Sequence, residues 1–302
     1  MTEVRKIALG YDLFMIRGWF KKIFLFFTYK NVTPPQVLKF LSMPLDFILG
    51  LFKTGDDQFS FTRFMYSNSV PFIEVKPGLI DSRPFDILFV STHKDFALLP
   101  HAIKSVLEIT SNYSKLNITI ITPDNYVTLL ENLLQDFKVT VLQESMYLDA
   151  KILSKLKGAF GNRFGWILQQ LLKLEFVLQS RSAGVLIVDS DTLLLEPREW
   201  LKGDGSQLLT PTWEYHRPYY HFLATIGISE LVPEYTFVSH HMLMQPKILR
   251  ELFDWMSWKD IGDLIDLICT TERNGDQSPF SLDYELYAQY LYKTYPEKVI
   301  LG

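Results

Sequence analysis

Two carboxylates, Asp189 and Asp191, stand either side of Ser190 directly after the four apolar residues 185–188. In an extended backbone, residues two apart project the same way, so both carboxylates are expected to converge beyond the strand end. Like charges at that spacing repel, and one takes up a proton unless a cation stands between them. A Mg²⁺ or Mn²⁺ ion resolves the conflict, because such ions take one or two protein carboxylates and fill their shell with phosphate and water. An Asp-x-Asp alone marks a solvated turn in many chains. The apolar strand before it favours the metal reading, since open α/β sheets bind ligands beyond the carboxyl ends of their strands.

Several elements are needed to position this pair. Residues 185–188 are too few for a buried helix and suit a strand covered on both faces, with Gly184 before it. A second apolar run, residues 193–195, is expected to resume the sheet before Pro197 ends it. Upstream, residues 86–91 read as a first strand and residues 96–110 as a helix with Leu98, Leu99, Ala102, Ile103, Val106 and Leu107 on one side. A second strand over 117–122, a helix opened by Pro123 and Asp124, and a third strand over 138–142 complete a βαβαβ alternation. That pattern predicts an α/β fold with a mainly parallel sheet and right-handed crossovers. Glycines 158, 161 and 165 read as a flexible lead-in to an amphipathic helix over 166–178. Arg163, in that lead-in, could fork onto a diphosphate.

Downstream, a short strand is expected over 207–211 and an aromatic, polar loop over 213–221, whose rings could stack on sugar faces. His240 and His241 are neighbours on an expected strand, so at most one should reach the acidic pair. Ser281 is a candidate helix cap, and Asp283 and Glu285 fall in the first turn, where the helix dipole favours acids. No Walker pattern and no Gly-x-Gly-x-x-Gly follows the first strand, so phosphates would be held by a metal rather than by a backbone cradle. Ser91, Thr92, His93 and Asp95 after the first strand, and Thr122 and Asp124 after the second, then compete between capping and contact with a nucleoside.

The sequence Ile-Val-Asp-Ser-Asp-Thr over 187–192 resembles the Asp-x-Asp signature of nucleotide-sugar-dependent glycosyltransferases of the GT-A fold. The Trp166-x-x-Gln169-Gln170 helix ahead of it is similar to one in a bacterial and viral family assigned to the glycosyltransferases. The resemblance spans roughly residues 86–290. It implies a Rossmann-like mixed, mainly parallel sheet flanked by helices, with the nucleoside lying over the first strand ends near Ser91, Thr92 and Asp124. It further implies Mn²⁺ or Mg²⁺ on Asp189 and Asp191 with His240 or His241 as a further ligand. Gln169 and Lys173 would face the sugar nucleotide, and Asp283 or Glu285 would deprotonate the acceptor hydroxyl. The activity implied is transfer of a sugar from a nucleoside diphosphate sugar to a glycan or lipid-linked acceptor.

Composition bounds these readings. With 302 residues, 48% of them apolar, the chain has ample core, and its net charge of −4 gives no support for nucleic-acid binding. The first 53 residues carry eight Lys/Arg against three acids, a net +5, which leaves −9 for the rest. Three segments are therefore expected: a basic, amphipathic helical extension over 1–57, a connector over 58–84 and the GT-A-like domain over 85–302. Apolar stretches between residues 12 and 53 are broken by charges before reaching the roughly 18 to 20 residues of a membrane span. They read equally as a peripheral bilayer contact and as a helix packed on the domain. The single Cys269 excludes an intramolecular disulfide and fits a reducing, cytoplasmic setting. Two other readings remain: a metal-dependent nucleotidyltransferase or phosphohydrolase, which can use paired acids, and a catalytically inactive, membrane-apposed carbohydrate-binding protein.

Overall fold

A computed structural model of the chain describes residues 85–110, 116–212, 216–228, 236–273 and 279–302. The expected basic extension, the connector and the bilayer contact over 12–53 lie outside the described residues.

The main sheet has five strands in the order β3-β2-β1-β4-β6. These are β1 Phe85–Val90, β2 Leu116–Thr122, β3 Thr140–Gln143, β4 Gly184–Val188 and β6 His241–Met244. The first four are parallel; β6 runs antiparallel to β4, with Val188 opposite His241. The fold is thus α/β, with a mixed, mainly parallel sheet flanked by helices, as the alternation of patterns predicts. All five residues of β4 are buried, which is why that segment reads as an unbroken apolar run.

On one face, Phe85, Ile87 and Phe89 of β1 and Ile118 and Ile120 of β2 enter one core cluster with helix α1, Leu99–Ile109. The stripe of α1 in that cluster is Leu99, Ala102, Ile103, Val106 and Ile109, the spacing of one helical face. Helix α2, Val127–Leu133, adds Leu130 to the same cluster. Helices α3, Ala150–Phe160, and α4, Phe164–Gln179, pack together, and α4 also meets β1. Helix α6, Pro246–Trp255, packs on α4 and on α8, Tyr284–Thr294; α7, Ile261–Thr270, packs on α3 and α4. The short strands β5, Gln207–Leu209, and β7, Val299–Leu301, form a separate parallel pair.

Three expectations need correction. Residues 193–195 do not resume the sheet: the chain turns at 189–192, closed by the Thr192 N–H on the Asp189 carbonyl at 2.9 Å, and then runs as coil. The glycine lead-in is ordered structure, because Gly158 lies within α3, Gly165 within α4, and Gly161 makes the break between them at φ +50°. The aromatic loop is partly helix α5, Arg217–Thr225, begun by Pro218, which presets the φ of a first turn; residues 213–215 are outside the described set.

Candidate functional site

Helix α4 carries the residues around which the site forms. Ile167, Leu168, Leu171, Leu172, Leu174 and Val177 are buried, and so are Gln170 and Lys173 among them. A buried polar group is tolerated only with partners. Gln170 has them: its Oε1 accepts from the Leu282 N–H at 2.6 Å, fixing the chain just before α8. Lys173, 2% exposed, donates to Asp189 Oδ1 at 2.7 Å and to Asp283 Oδ2 at 2.8 Å. Its Nζ also lies 3.3 Å from the Tyr284 hydroxyl and 4.5 Å from the centre of that ring.

The acids come from opposite parts of the sequence. Asp189 follows β4, its N–H donating to the His240 carbonyl at 2.9 Å. Asp283 caps α8, its Oδ1 accepting from the Tyr284 N–H at 2.8 Å. Asp189 Oδ1 also accepts from the Tyr284 hydroxyl at 2.8 Å, and Oδ2 lies 3.2 Å from His240 Nδ1. Burial pushes the Asp189 carboxyl up, but the Lys173 ammonium and the bonds from His240, Lys173 and Tyr284 outweigh it and hold it well below the carboxylate range. Burial likewise works against the Lys173 charge, and the Asp189 and Asp283 carboxylates more than restore it. Burial, then the Asp189 charge, raises the Tyr284 phenol, so it stays a proton donor.

A cavity of about 230 Å³ opens over this cluster, lined by Gln169, Lys173, Asp189, His240, Asp283 and Tyr284 among others. A larger cleft of about 610 Å³ adjoins it, Trp166 and Gln169 being walls of both. The cleft sits where β1, β2 and β3 end: Thr92, His93, Lys94 and Asp95 follow β1, Asn125 and Tyr126 follow β2, and Glu144 follows β3. Arg163 closes it from the start of α4, its guanidinium 6.0 Å from the Trp166 ring centre. Tyr126 and His93 pair their rings at 5.2 Å, an apolar face within a polar cleft. Burial and then the Asp124 charge push the Glu144 carboxyl up to about 7.

The predicted residues divide accordingly. Thr92, Arg163 and Gln169 line the cleft; Gln169, Asp189, His240 and Asp283 line the smaller cavity. Ser91 is buried and is a wall of neither. Asp124 is exposed and accepts from the Ser145 N–H at 3.2 Å, a turn role, while its neighbours Asn125 and Tyr126 face the cleft. Glu285 is fully buried within the fold: it accepts from the Tyr220 hydroxyl, Gln289 Nε2, Thr236 Oγ1 and the Phe237 N–H.

Among the described residues, no ready set of ligands for a divalent cation is found. Asp191 is exposed in the turn and borders neither cavity, whereas Asp189 lines the smaller one. Both Asp189 oxygens are engaged by donors from other side chains. His241 lines neither cavity, and its Nδ1 lies 3.0 Å from the Ser239 carbonyl. Among the described residues no three His, Cys, Asp or Glu side chains group as ligands. The physical reason is the turn at 189–192: the two-residue repeat that aligns side chains holds only in extended backbone.

Sequence reasoning missed Lys94, Asn125, Tyr126, Glu144 and Tyr284. Lys173 carried a signal besides resemblance, since a charge inside Leu-Leu-Lys-Leu on a buried helix requires an opposite charge facing it.

Neither a protein-family model nor a curated protein sequence matches the chain. Among solved structures it is similar to mouse xyloside xylosyltransferase 1, at 14% identity and TM-score 0.45, over 72% of this chain and 85% of that one. It is also similar to the galactosyltransferase LgtC in complex with donor and acceptor sugar analogues, at 14% identity and TM-score 0.46, over 72% and 73% of the two chains. The mannosyltransferase Ktr4p of S. cerevisiae matches at 12% identity and TM-score 0.43, over 71% and 76%.

Proposed function

We propose that the protein is a glycosyltransferase, moving a sugar from a nucleoside diphosphate sugar to a hydroxyl of a glycan or lipid-linked acceptor. The observation that carries this reading is the pair of joined cavities: a roomy cleft with two cations at strand ends opens, past Trp166 and Gln169, onto a smaller one with carboxylates. A nucleoside fits against Tyr126 and Asn125, its diphosphate lies toward Lys94 and Arg163, and the sugar enters the smaller cavity beside Gln169, Asp189 and Asp283. The bond from the anomeric carbon to phosphate breaks, the diphosphate leaves with its charge met by Lys94 and Arg163, and the acceptor oxygen takes its place. Of the two carboxylates expected to accept the acceptor's proton, Asp283 borders the cavity and is the candidate for that role, although Lys173 and the Tyr284 N–H hold its oxygens; Glu285 maintains the packing around it. Mn²⁺ or Mg²⁺, implied by the sequence resemblance, has no grouped ligand set among the described residues, and no step above depends on one. The same misfit weighs against a metal-dependent phosphohydrolase or nucleotidyltransferase.

Membrane contact through residues 12–53 is part of the proposal on charge pattern alone; no helix among the described residues is long and apolar enough to cross a membrane. The test is incubation of the full chain with UDP-, GDP-, ADP- and CDP-sugars, reading nucleoside diphosphate release. Release from at least one donor is expected, with Asp283→Asn slower by about 100-fold, the low end for a general base. No release from any donor, or synthesis of a nucleotide sugar from sugar 1-phosphate and NTP, overturns the reading.

A further inference from the structure

We infer that the Lys173 ammonium occupies the position a divalent cation would hold among the carboxylates, so that the protein binds its diphosphate ligand without a metal ion. The inference rests on the proposed transferase reading and deepens it. Asp189 and Asp283 lie 94 residues apart in sequence and both accept from Lys173 Nζ, at 2.7 and 2.8 Å, with Tyr284 bonded to each as well. With the Tyr284 oxygen at 3.3 Å, the three N–H donors of the ammonium have three acceptors, and the Tyr284 ring covers a further side. The adjacent Leu172 and Leu174 are buried with it, and the Lys173 side chain is 3% exposed.

Such an arrangement opposes a metal in two ways. An ion bound to Asp189 Oδ1 would lie beside the Lys173 ammonium on that oxygen, and the two would repel. Asp191, the remaining acid of the pair, is exposed and does not share the cavity that Asp189 lines. The diphosphate meanwhile has side-chain cations of its own in Lys94 and Arg163, which line the cleft next door. A guanidinium forks onto phosphate and an ammonium meets it as a point charge. Charge neutralisation is thus divided, with Lys173 serving the protein's carboxylates and Lys94 and Arg163 serving the ligand.

The test uses the full chain and two readouts. Mn²⁺ is titrated into nucleotide-free protein and followed by electron paramagnetic resonance. The wild type should show no site tighter than about 1 mM, the weak end for oxygen-ligand sites. Lys173→Met, which keeps the length and removes the charge, should bind Mn²⁺ at least about tenfold more tightly, because Asp189 and Asp283 lose their counter-charge. UDP, GDP, ADP and CDP are then titrated calorimetrically in EDTA and in Mn²⁺. The best of them should differ by less than about threefold between the two, and Arg163→Ala should weaken it about tenfold in EDTA. A wild-type Mn²⁺ site tighter than about 0.1 mM, or diphosphate affinity raised more than about tenfold by Mn²⁺, overturns the inference. If Lys173→Met fails to fold, the wild-type measurements decide alone. If no diphosphate binds under either condition, the transferase reading falls, while the Mn²⁺ titration still decides the place of Lys173.

Discussion

His241 shows how far a residue's neighbours can determine its chemistry. Its Nδ1 lies 3.0 Å from the Ser239 carbonyl, and its Nε2 is buried with no hydrogen-bond partner among the described residues. Burial, then the nearby Arg198 charge, drives its pKa down to about 4. The folded chain therefore takes up a proton here less readily than the unfolded one. Stability from this group is present above the unfolded value of about 6.5 and is lost as pH falls toward 4. Chemical denaturation between pH 7 and 4 should show that decline, and His241→Phe should flatten it; an unchanged slope in the variant would assign the decline elsewhere. The two histidines read in the sequence as neighbours on one strand, but β6 begins at His241, and His240 before it lies 3.2 Å from Asp189 through Nδ1. Which ring lay on which side depends on the φ of +60° at His240, a conformation that residue types alone do not reveal.

At the scale of elements, the junction between α3 and α4 sets where Arg163, Trp166 and Gln169 stand. Gly161 makes that junction with φ +50° and ψ −119°, outside the basins of residues with a side chain. A Cβ there would meet nothing within 4 Å, so the cost of Gly161→Ala is conformational and not steric crowding by neighbours. The variant should lose about 1 to 3 kcal/mol in urea denaturation, and its diphosphate affinity should fall with the displaced Arg163. Much of this level was legible. An unbroken apolar run marked β4, mainly apolar segments marked β1 and β2, and the spacing of Leu in α4 placed that helix within two residues at either end. The turn after β4 was not, because Leu193 to Leu195 are as apolar as a strand while Leu193 and Leu195 are exposed. Helix α5 was hidden for a related reason: its Tyr-Tyr-His sequence suits a binding loop as well as a helix face.

Across the whole molecule, a buried polar link holds the small sheet to the large one. Gln207 of β5 donates to the Leu243 carbonyl of β6 at 2.6 Å and accepts from the Tyr287 hydroxyl at 2.8 Å, while the Gln245 N–H donates to that hydroxyl at 2.8 Å. Tyr287→Phe keeps the ring and strands the Gln245 N–H, so a loss of about 1 to 3 kcal/mol is expected in chemical denaturation. No loss would show that the strand pair is held by packing alone. Links of this kind, like the Lys173 cluster, join residues tens to more than a hundred positions apart, and local periodicity carries no trace of them. The architecture could be read from patterns because each strand and helix reports its own burial; the site could be read only in part, because its charges are paired through the fold.

The indole of Trp166 belongs to both chambers at once and stacks beside Tyr219 at 6.2 Å. A wall shared in this way, with Gln169 beside the ring, acts as a gauge: a guest that reaches from one room into the other lies against its edge. Trimming that ring would merge the rooms, trading a tight reading of size for tolerance of bulkier guests.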